Sequence, residues 1–305
     1  MLYYNNIDDL KLSKSSVVTL GKFDGMHIGH RKLIKRVEEI SSQRNLSSVM
    51  FTFDVPPRAK IENNTYKNIF TKDEKRALAE KFGIDVLVEC PFGEAIRNMS
   101  AEDFVRDILL RRINAKAVVA GTDFRFGKNR QGDADYLLNN ADKMGFTADI
   151  IEKETDETGR DISSTYVREE VECGHIEKAN SLLGFEYFIS GEVVSGMHLG
   201  RSLGFPTINI VPPQEKLLPP NGVYASLTEI GTLVYASISN IGVKPTVGGK
   251  ELGVETFVLD FNENLYGMKA NVRLLKFMRP EKKFASIEEL KKQVDSDIEK
   301  RRESL

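Results

Sequence analysis

Two of the four histidines in this 305-residue chain stand three positions apart, in the stretch GKFDGMHIGH at 21–30. Imidazoles at i and i+3 at a helix start can present N–H groups to one anion together. Glycines at 21, 25 and 29 let a phosphate come close to the backbone, and the helix N-terminus adds amides without intrahelical partners. Zinc is the competing use of paired imidazoles. No third ligand stands at useful spacing, however, and His175 and His198 are remote in sequence. The turn around His27, Gly29 and His30 therefore predicts phosphate chemistry.

Two further groups have the right residue types. In ISSTYVR (162–168), the hydroxyls of Ser163, Ser164 and Thr165 precede a short helix running to Gly174. At least one of them reads as an ordinary N-cap. Arg168 lies one turn in, where its charge opposes the helix dipole. Hydroxyls, amides and a guanidinium together suit a polyphosphate. In PTINI (206–210), Thr207 and Asn209 alternate with Ile208 and Ile210, so both polar side chains face one side of a strand. A hydroxyl and an amide there can hold a magnesium ion and steady phosphate oxygens, although a solvent-facing Thr/Asn pair has the same periodicity. Glycines at 196, 200 and 204 lead into that strand.

The elements that must position these groups follow two patterns. From 15 to about 183, apolar runs at 16–20, 48–53, 85–90, 115–121 and 147–151 alternate with amphipathic segments. Leu33, Ile34, Val37 and Ile40 form one buried stripe, Thr71 and Glu74 a capping box, and Ser100 and Asp103 another helix start. Gly83 and Gly145 read as helix stops. This is a parallel sheet with helices on its faces, and the first turn falls at its carboxyl edge, where open α/β folds bind ligands. After Gly184, strand-like runs follow one another with Gly and Pro between them, which predicts a small antiparallel β-barrel. A C-terminal helix ends the chain, with Ser286 and Glu289 as capping box and Ile287, Leu290, Val294 and Ile298 as buried stripe. The fold class is α/β: a Rossmann-like N-terminal domain over 1–184, then the barrel and helix over 185–305.

Length suits two domains, and a net charge of −2 gives no overall basic field to gather nucleic acid. Cys90 and Cys173 lack metal-ligand spacing and read as reduced thiols. The N-terminus lacks a signal-peptide pattern, and no run approaches the ~18 apolar residues of a membrane span. A cytoplasmic protein acting on small molecules, with no nucleic acid or membrane partner, is expected.

His27-Ile28-Gly29-His30 is the HIGH signature of the nucleotidylyltransferase and class I aminoacyl-tRNA synthetase superfamily. Lys11-Leu12-Ser13-Lys14-Ser15 resembles the second synthetase signature, but it precedes the 16–20 run instead of lying well downstream of HIGH. Together, GKFDGMHIGH, GTDFRFGKNRQGD (121–133) and ISSTYVR resemble the N-terminal half of the bacterial bifunctional FAD synthetases, which couple riboflavin kinase to FMN adenylyltransferase. NIGVKPTVGG (240–249), VETFVLDF (254–261), LYG (265–267) and FMRPEKKF (277–284) follow PTIN in the order of a riboflavin kinase domain. That second resemblance covers most of 186–305.

The resemblance implies ATP and phosphate contacts at Gly21, Phe23, His27, Gly29, His30, Asp123, Ser164, Thr165, Arg168 and Asn209. It implies flavin contacts at Phe53 and Phe126, Mg2+ on Thr207, and Glu255 as catalytic base. The chain has Val55-Pro56-Pro57 where the family usually carries a Pro-His-Pro run, Ile208 where alanine is usual, and Phe257 where histidine is frequent. The expected function is ATP-dependent phosphorylation of riboflavin to FMN, then adenylylation of FMN to FAD with release of pyrophosphate. The alternatives are a nucleotidylyltransferase for another phosphorylated acceptor, with the barrel as specificity domain, and a non-catalytic flavin- or nucleotide-binding regulator.

Overall fold

The computed structural model describes residues 1–54, 67–195, 205–246, 249–261 and 263–305. The Val55-Pro56-Pro57 run and the glycines at 196, 200 and 204 lie outside them. The chain forms two compact units, Met1–Tyr66 with Thr71–Ser164, and Lys67–Phe70 with Thr165–Leu305.

In the first unit the alternating pattern becomes β1 (Leu2–Tyr4), β2 (Ser16–Leu20), α1 (Ile28–Arg44), β3 (Ser47–Phe53), α2 (Lys72–Lys81) and β4 (Val86–Cys90). Then come α3 (Glu94–Asn98), α4 (Ala101–Asp103) running into a π-helix (Phe104–Arg112), β5 (Ala115–Gly121), α5 (Ala134–Met144) and β6 (Thr147–Ile151). The six strands lie parallel in the order β1-β4-β3-β2-β5-β6. β1 goes beyond the sequence pattern, in which 16–20 is the first strand-like run. Its three residues are too few to show a period, and its pairing with β4 supplies what its own pattern does not. The helix signals hold: Leu33, Ile34, Val37 and Ile40 are buried, and Thr71 and Glu74 close both bonds of their capping box. Strand order reverses at β2, with β3 and β4 on one side and β5 and β6 on the other. The crevice past the carboxyl ends of β2 and β5 is thus a topological switch point, and GKFDGMHIGH and GTDFRFG both begin there.

The second unit starts with Thr165 inside α6 (Ser164–Cys173) and continues through α7 (Ile176–Leu183). Its strands are β7 (Phe188–Glu192), β8 (Thr207–Ile210), β9 (Gly222–Ile230), β10 (Leu233–Thr246), β11 (Gly249–Val258) and β12 (Lys269–Arg279), and α8 (Ile287–Glu303) ends it. They form an antiparallel sheet in the order β7-β12-β9-β10-β11-β8. The sheet curls until Val194, just past β7, donates its N–H to the Asn209 carbonyl of β8 at 2.8 Å. One face carries a ladder of hydroxyls with no solvent exposure, Ser226, Thr228, Ser237, Ser239 and Thr256. Four bonds of 2.8 Å link them across three strands, so a polar interior is tolerated because every hydroxyl is paired.

The C-terminal helix differs from its expected form. Ser286 caps the Glu289 N–H as the sequence predicts, but the Glu289 carboxylate reaches back to the Ala285 N–H instead of that of Ser286. The apolar stripe is loose: Ile287 is 57% exposed, and Leu290, Val294 and Ile298 are half-buried. The buried positions are Asp297 and Arg301. Asp297 accepts two bonds from Arg279 Nε and a third from its Nη2, while Arg301 donates to the Ser237 and Ser226 carbonyls at 3.4 and 3.2 Å. The helix is seated by charged groups meeting backbone and counter-charge, which apolar periodicity does not register.

Lys67–Phe70 joins the second unit through a buried ammonium. Lys216 donates to the carbonyls of Ile69 and Phe188, each at 2.8 Å, with the rings of Phe70, Tyr187 and Phe188 around it. Lys216→Met keeps the length of the side chain and removes the donor. It is expected to destabilise the protein by about 2–4 kcal/mol, read from chemical denaturation, because two carbonyls lose the Lys216 donor. An unchanged midpoint would show that the carbonyls are satisfied without Lys216.

Candidate active sites

The end of β2 and the start of α1 shape the first site. His27 is the N-cap of α1, and its Nδ1 accepts from the His30 N–H at 3.4 Å. The two imidazoles stack, with centroids 3.7 Å apart and planes at 24°. A Cβ on Gly29 would stand 3.3 Å from the His27 ring, so the glycine gives that ring its place. The same point lies 3.9 Å from the Ile162 carbonyl, which brings the beginning of ISSTYVR against the HIGH turn. Phe23 packs at 4.9 Å from the His30 ring and beneath Gly21. Phe23 and Met26 are both fully buried and both have φ of +47°, a region non-glycine residues rarely enter and one associated with functional loops.

Burial decides the charge of these rings. It lowers His27 to about 4, with Asp123 acting weakly the other way. It holds His30 well below its ordinary value, with smaller contributions from His27 and Lys75. Both imidazoles are therefore neutral near pH 7. Because His27 Nδ1 is an acceptor, its proton sits on Nε2. His30 Nδ1 is buried without a hydrogen-bond partner among the described residues.

The other predicted residues of this half lie on several elements of the two units. Asp123 sits in the turn after β5, largely exposed, 3.4 Å from Lys153 Nζ. Phe53 ends β3 and meets Phe92 edge-on at 5.2 Å. Phe126 is 5% exposed and stacks on the half-buried Phe124, with Gly132 leaving room for its ring. Ser164 begins α6 at the close of the first unit. Thr165 and Arg168 belong to the second, where Thr165 is exposed and Arg168 Nη1 donates to the Lys67 carbonyl at 2.6 Å.

In the barrel, register builds the second constellation. Glu255 on β11 lies directly opposite Asn209 on β8, and Phe257 opposite Thr207. All four share the face away from the hydroxyl ladder. The Thr207 hydroxyl donates to Glu255 Oε1 at 2.9 Å, which orients the carboxylate and leaves the hydroxyl lone pairs for a cation. Asp260 and Glu263, the competing carboxylates in sequence, have no place in this row. Sequence reasoning missed Lys75. It is buried beside Glu89 at 3.7 Å, and Glu89 also accepts from the Tyr3 hydroxyl at 2.5 Å. A lysine just after a capping box reads as a solvated residue, so no signal marked it.

Residues 9–166 match the FAD synthetase family and 183–305 the riboflavin kinase family. The bifunctional riboflavin kinase/FMN adenylyltransferase of Bacillus subtilis is 35% identical over 288 residues, covering 92% of this chain and 90% of the relative. That of Escherichia coli is 37% identical over 285 residues, with the same coverages. A solved structure described as a macrolide-efflux protein from Streptococcus pneumoniae aligns with a TM-score of 0.86 and 31% identity, over 99% of this chain and 98% of that one.

The neutral imidazoles carry a stability signature. An unfolded histidine titrates near 6.5, so between that value and about 4 the unfolded chain binds a proton that folded His27 refuses. Stability is full above 6.5 and is lost as pH falls, with His27 contributing about 3 kcal/mol. The thermal midpoint is expected to fall between pH 7 and 5. His27→Asn, which keeps an N-cap acceptor, should flatten that fall. A flat wild-type profile would mean that the rings take up protons over the same pH range in the folded and unfolded chains.

Proposed function

The chain belongs to the bifunctional riboflavin kinase/FMN adenylyltransferases: its C-terminal half phosphorylates riboflavin to FMN and its N-terminal half adenylylates FMN to FAD, and we propose the following roles for its residues. The observation that carries them is the hydrogen-bonded Thr207–Glu255 pair, set in one row with Asn209. Glu255 takes the proton of the riboflavin 5′-hydroxyl as that oxygen attacks the γ-phosphorus of ATP and ADP departs. Asn209 steadies phosphate oxygens. Alignment and electrostatics do most of the work in such a transfer.

Magnesium fits this set. The described residues hold no cluster of three or more His, Cys, Asp or Glu side chains able to bind a metal. A cation here would rest on the Thr207 hydroxyl, substrate phosphates and water, as magnesium commonly does. When bound, it supplies charge neutralisation at the transferring phosphate.

In the N-terminal half, a phosphate oxygen of FMN attacks the α-phosphorus of a second ATP, and pyrophosphate leaves. His27 donates from Nε2, and His30 stabilises the charge developing on the transferred group. An arriving triphosphate raises both imidazole pKa values, so the pair takes up positive charge as the substrate brings negative charge. Gly21, Phe23 and Gly29 shape the close approach of the backbone, and Asp123 lies at the nucleotide end. Ser164, Thr165 and Arg168 restrain the departing phosphates. Phe53 contacts the flavin, with Phe126 behind Phe124. We draw the functional boundary between 184 and 185, which the start of the riboflavin kinase match at 183 supports. The setting is the cytoplasm, with small molecules as partners and neither nucleic acid nor a membrane. Among the described residues no helix is long and apolar enough to cross a membrane.

Riboflavin, ATP and magnesium incubated with the protein should yield FMN first and FAD after it, as read by chromatography. His30→Ala is expected to cut FAD formation about 100-fold or more while leaving FMN formation nearly intact. Glu255→Gln should abolish FMN formation and still adenylylate supplied FMN. Equal loss of both activities in either folded variant would reject two independent sites.

A further inference from the structure

Asn240, on β10, stands directly opposite Glu255 on β11. With Asn209 on β8 it completes a row of three polar side chains on adjacent strands, about 5 Å between the Cβ atoms of each opposed pair. The row borders an apolar patch: Val223, Ile238 and Leu259 are buried there, with Phe257, Met278 and Ile298 packed against them. Asn240 Oδ1 is buried and has no hydrogen-bond partner among the described residues.

Arg273 Nε on β12 also lacks a hydrogen-bond partner among the described residues, but a counter-charge, Glu229, lies 3.8 Å from it, and Asn240 Oδ1 has no such neighbour among them. On the opposite face five buried hydroxyls are all paired, and Arg301 donates to the carbonyls behind them. An unsatisfied acceptor is destabilising, and one beside a catalytic carboxylate calls for a reason outside the resting fold. Its chemistry narrows the reason. Phosphate and carboxylate oxygens accept and do not donate, so they cannot satisfy Oδ1. The donors the kinase reaction brings to Glu255 are the hydroxyls of its alcohol substrate.

We propose that Asn240 is a substrate-binding residue of the kinase site, its carboxamide oxygen accepting a hydrogen bond from a ribityl hydroxyl of riboflavin next to the 5′-hydroxyl that Glu255 deprotonates. The inference rests on riboflavin phosphorylation in this barrel. It makes the Asn240–Glu255 pair a double acceptor for a polyol, which selects an acceptor carrying a second hydroxyl beside the reacting one.

Asn240→Leu, close in shape and without a polar group, is the test. The thermal midpoint is expected to stay or rise, since an unsatisfied group is removed. Riboflavin kcat/KM should fall about tenfold, with the ATP KM and adenylylation of supplied FMN unchanged. Riboflavin analogues lacking the 2′-, 3′- or 4′-hydroxyl complete the cycle. The analogue lacking the 4′-hydroxyl, the neighbour of the reacting one, should lose about tenfold with wild type and nothing more with Asn240→Leu. A lower midpoint with normal riboflavin kinetics would overturn the proposal in favour of a structural role, and a rise confined to the ATP KM would assign Asn240 to the nucleotide. If the variant does not fold, wild type alone decides: equal turnover of all three analogues, or loss confined to the 2′- or 3′-deoxy analogue, overturns the proposal, and selective loss with the 4′-deoxy analogue sustains it. Failure of wild type to make FMN at all would reject the kinase assignment instead.

Discussion

Two imidazoles stacked 3.7 Å apart at the start of α1, His27 buried and His30 half-buried, rest uncharged near pH 7 because burial disfavours the proton on both. Much of the first unit follows from that constraint. His27 must cap α1, so the helix begins where β2 has just ended, and the site falls at the one place where strand order reverses. Gly29 leaves room for the ring: a Cβ there would stand 3.3 Å from it, tighter than an ordinary contact. Phe23 and Met26, both fully buried, adopt left-handed backbone, which costs of order 1–3 kcal/mol each. A neutral pair in a dry site responds strongly to the charge of an arriving substrate, whereas rings already protonated in water would respond little.

The barrel solves the opposite problem. Its interior is polar, and the hydroxyl ladder with Arg301 behind it satisfies that interior without any substrate. The reacting groups lie on the other face, half-buried, on β8 and β11. One face is thus complete in itself, and the other keeps a row of acceptors beside an apolar patch. Antiparallel register produces this division: a slip of one residue on β11 would send Glu255 to the interior and Thr256 to the site.

Most of this was legible where a local pattern carries the physics. Alternation revealed the parallel sheet, Thr71 and Glu74 marked a helix start, and the spacing of His27 and His30 placed them on one turn. The illegible parts are long-range. β1 exists because β4 offers an edge, and α8 is seated by Asp297 and Arg301 through partners on β12, β10 and β9. Lys75 and Asn240 look ordinary in sequence, since only strand register and burial give them neighbours. Glu255 was one carboxylate among several until the pairing of β8 with β11 set it against Thr207 and Asn209.

Lys67–Phe70 falls inside the first unit's stretch of sequence yet belongs to the second, held by Lys216. The backbone therefore changes unit three times, after Tyr66, after Phe70 and after Ser164. No single scission can release the two units intact. A tail fragment beginning between Phe70 and Thr165 would carry Lys216 with Tyr187 and Phe188 but without Phe70 or the Ile69 carbonyl, while the head fragment kept the missing strip. The two activities share one polypeptide by interleaving, so recombination between relatives could not exchange one for the other at a single junction without leaving that strip behind.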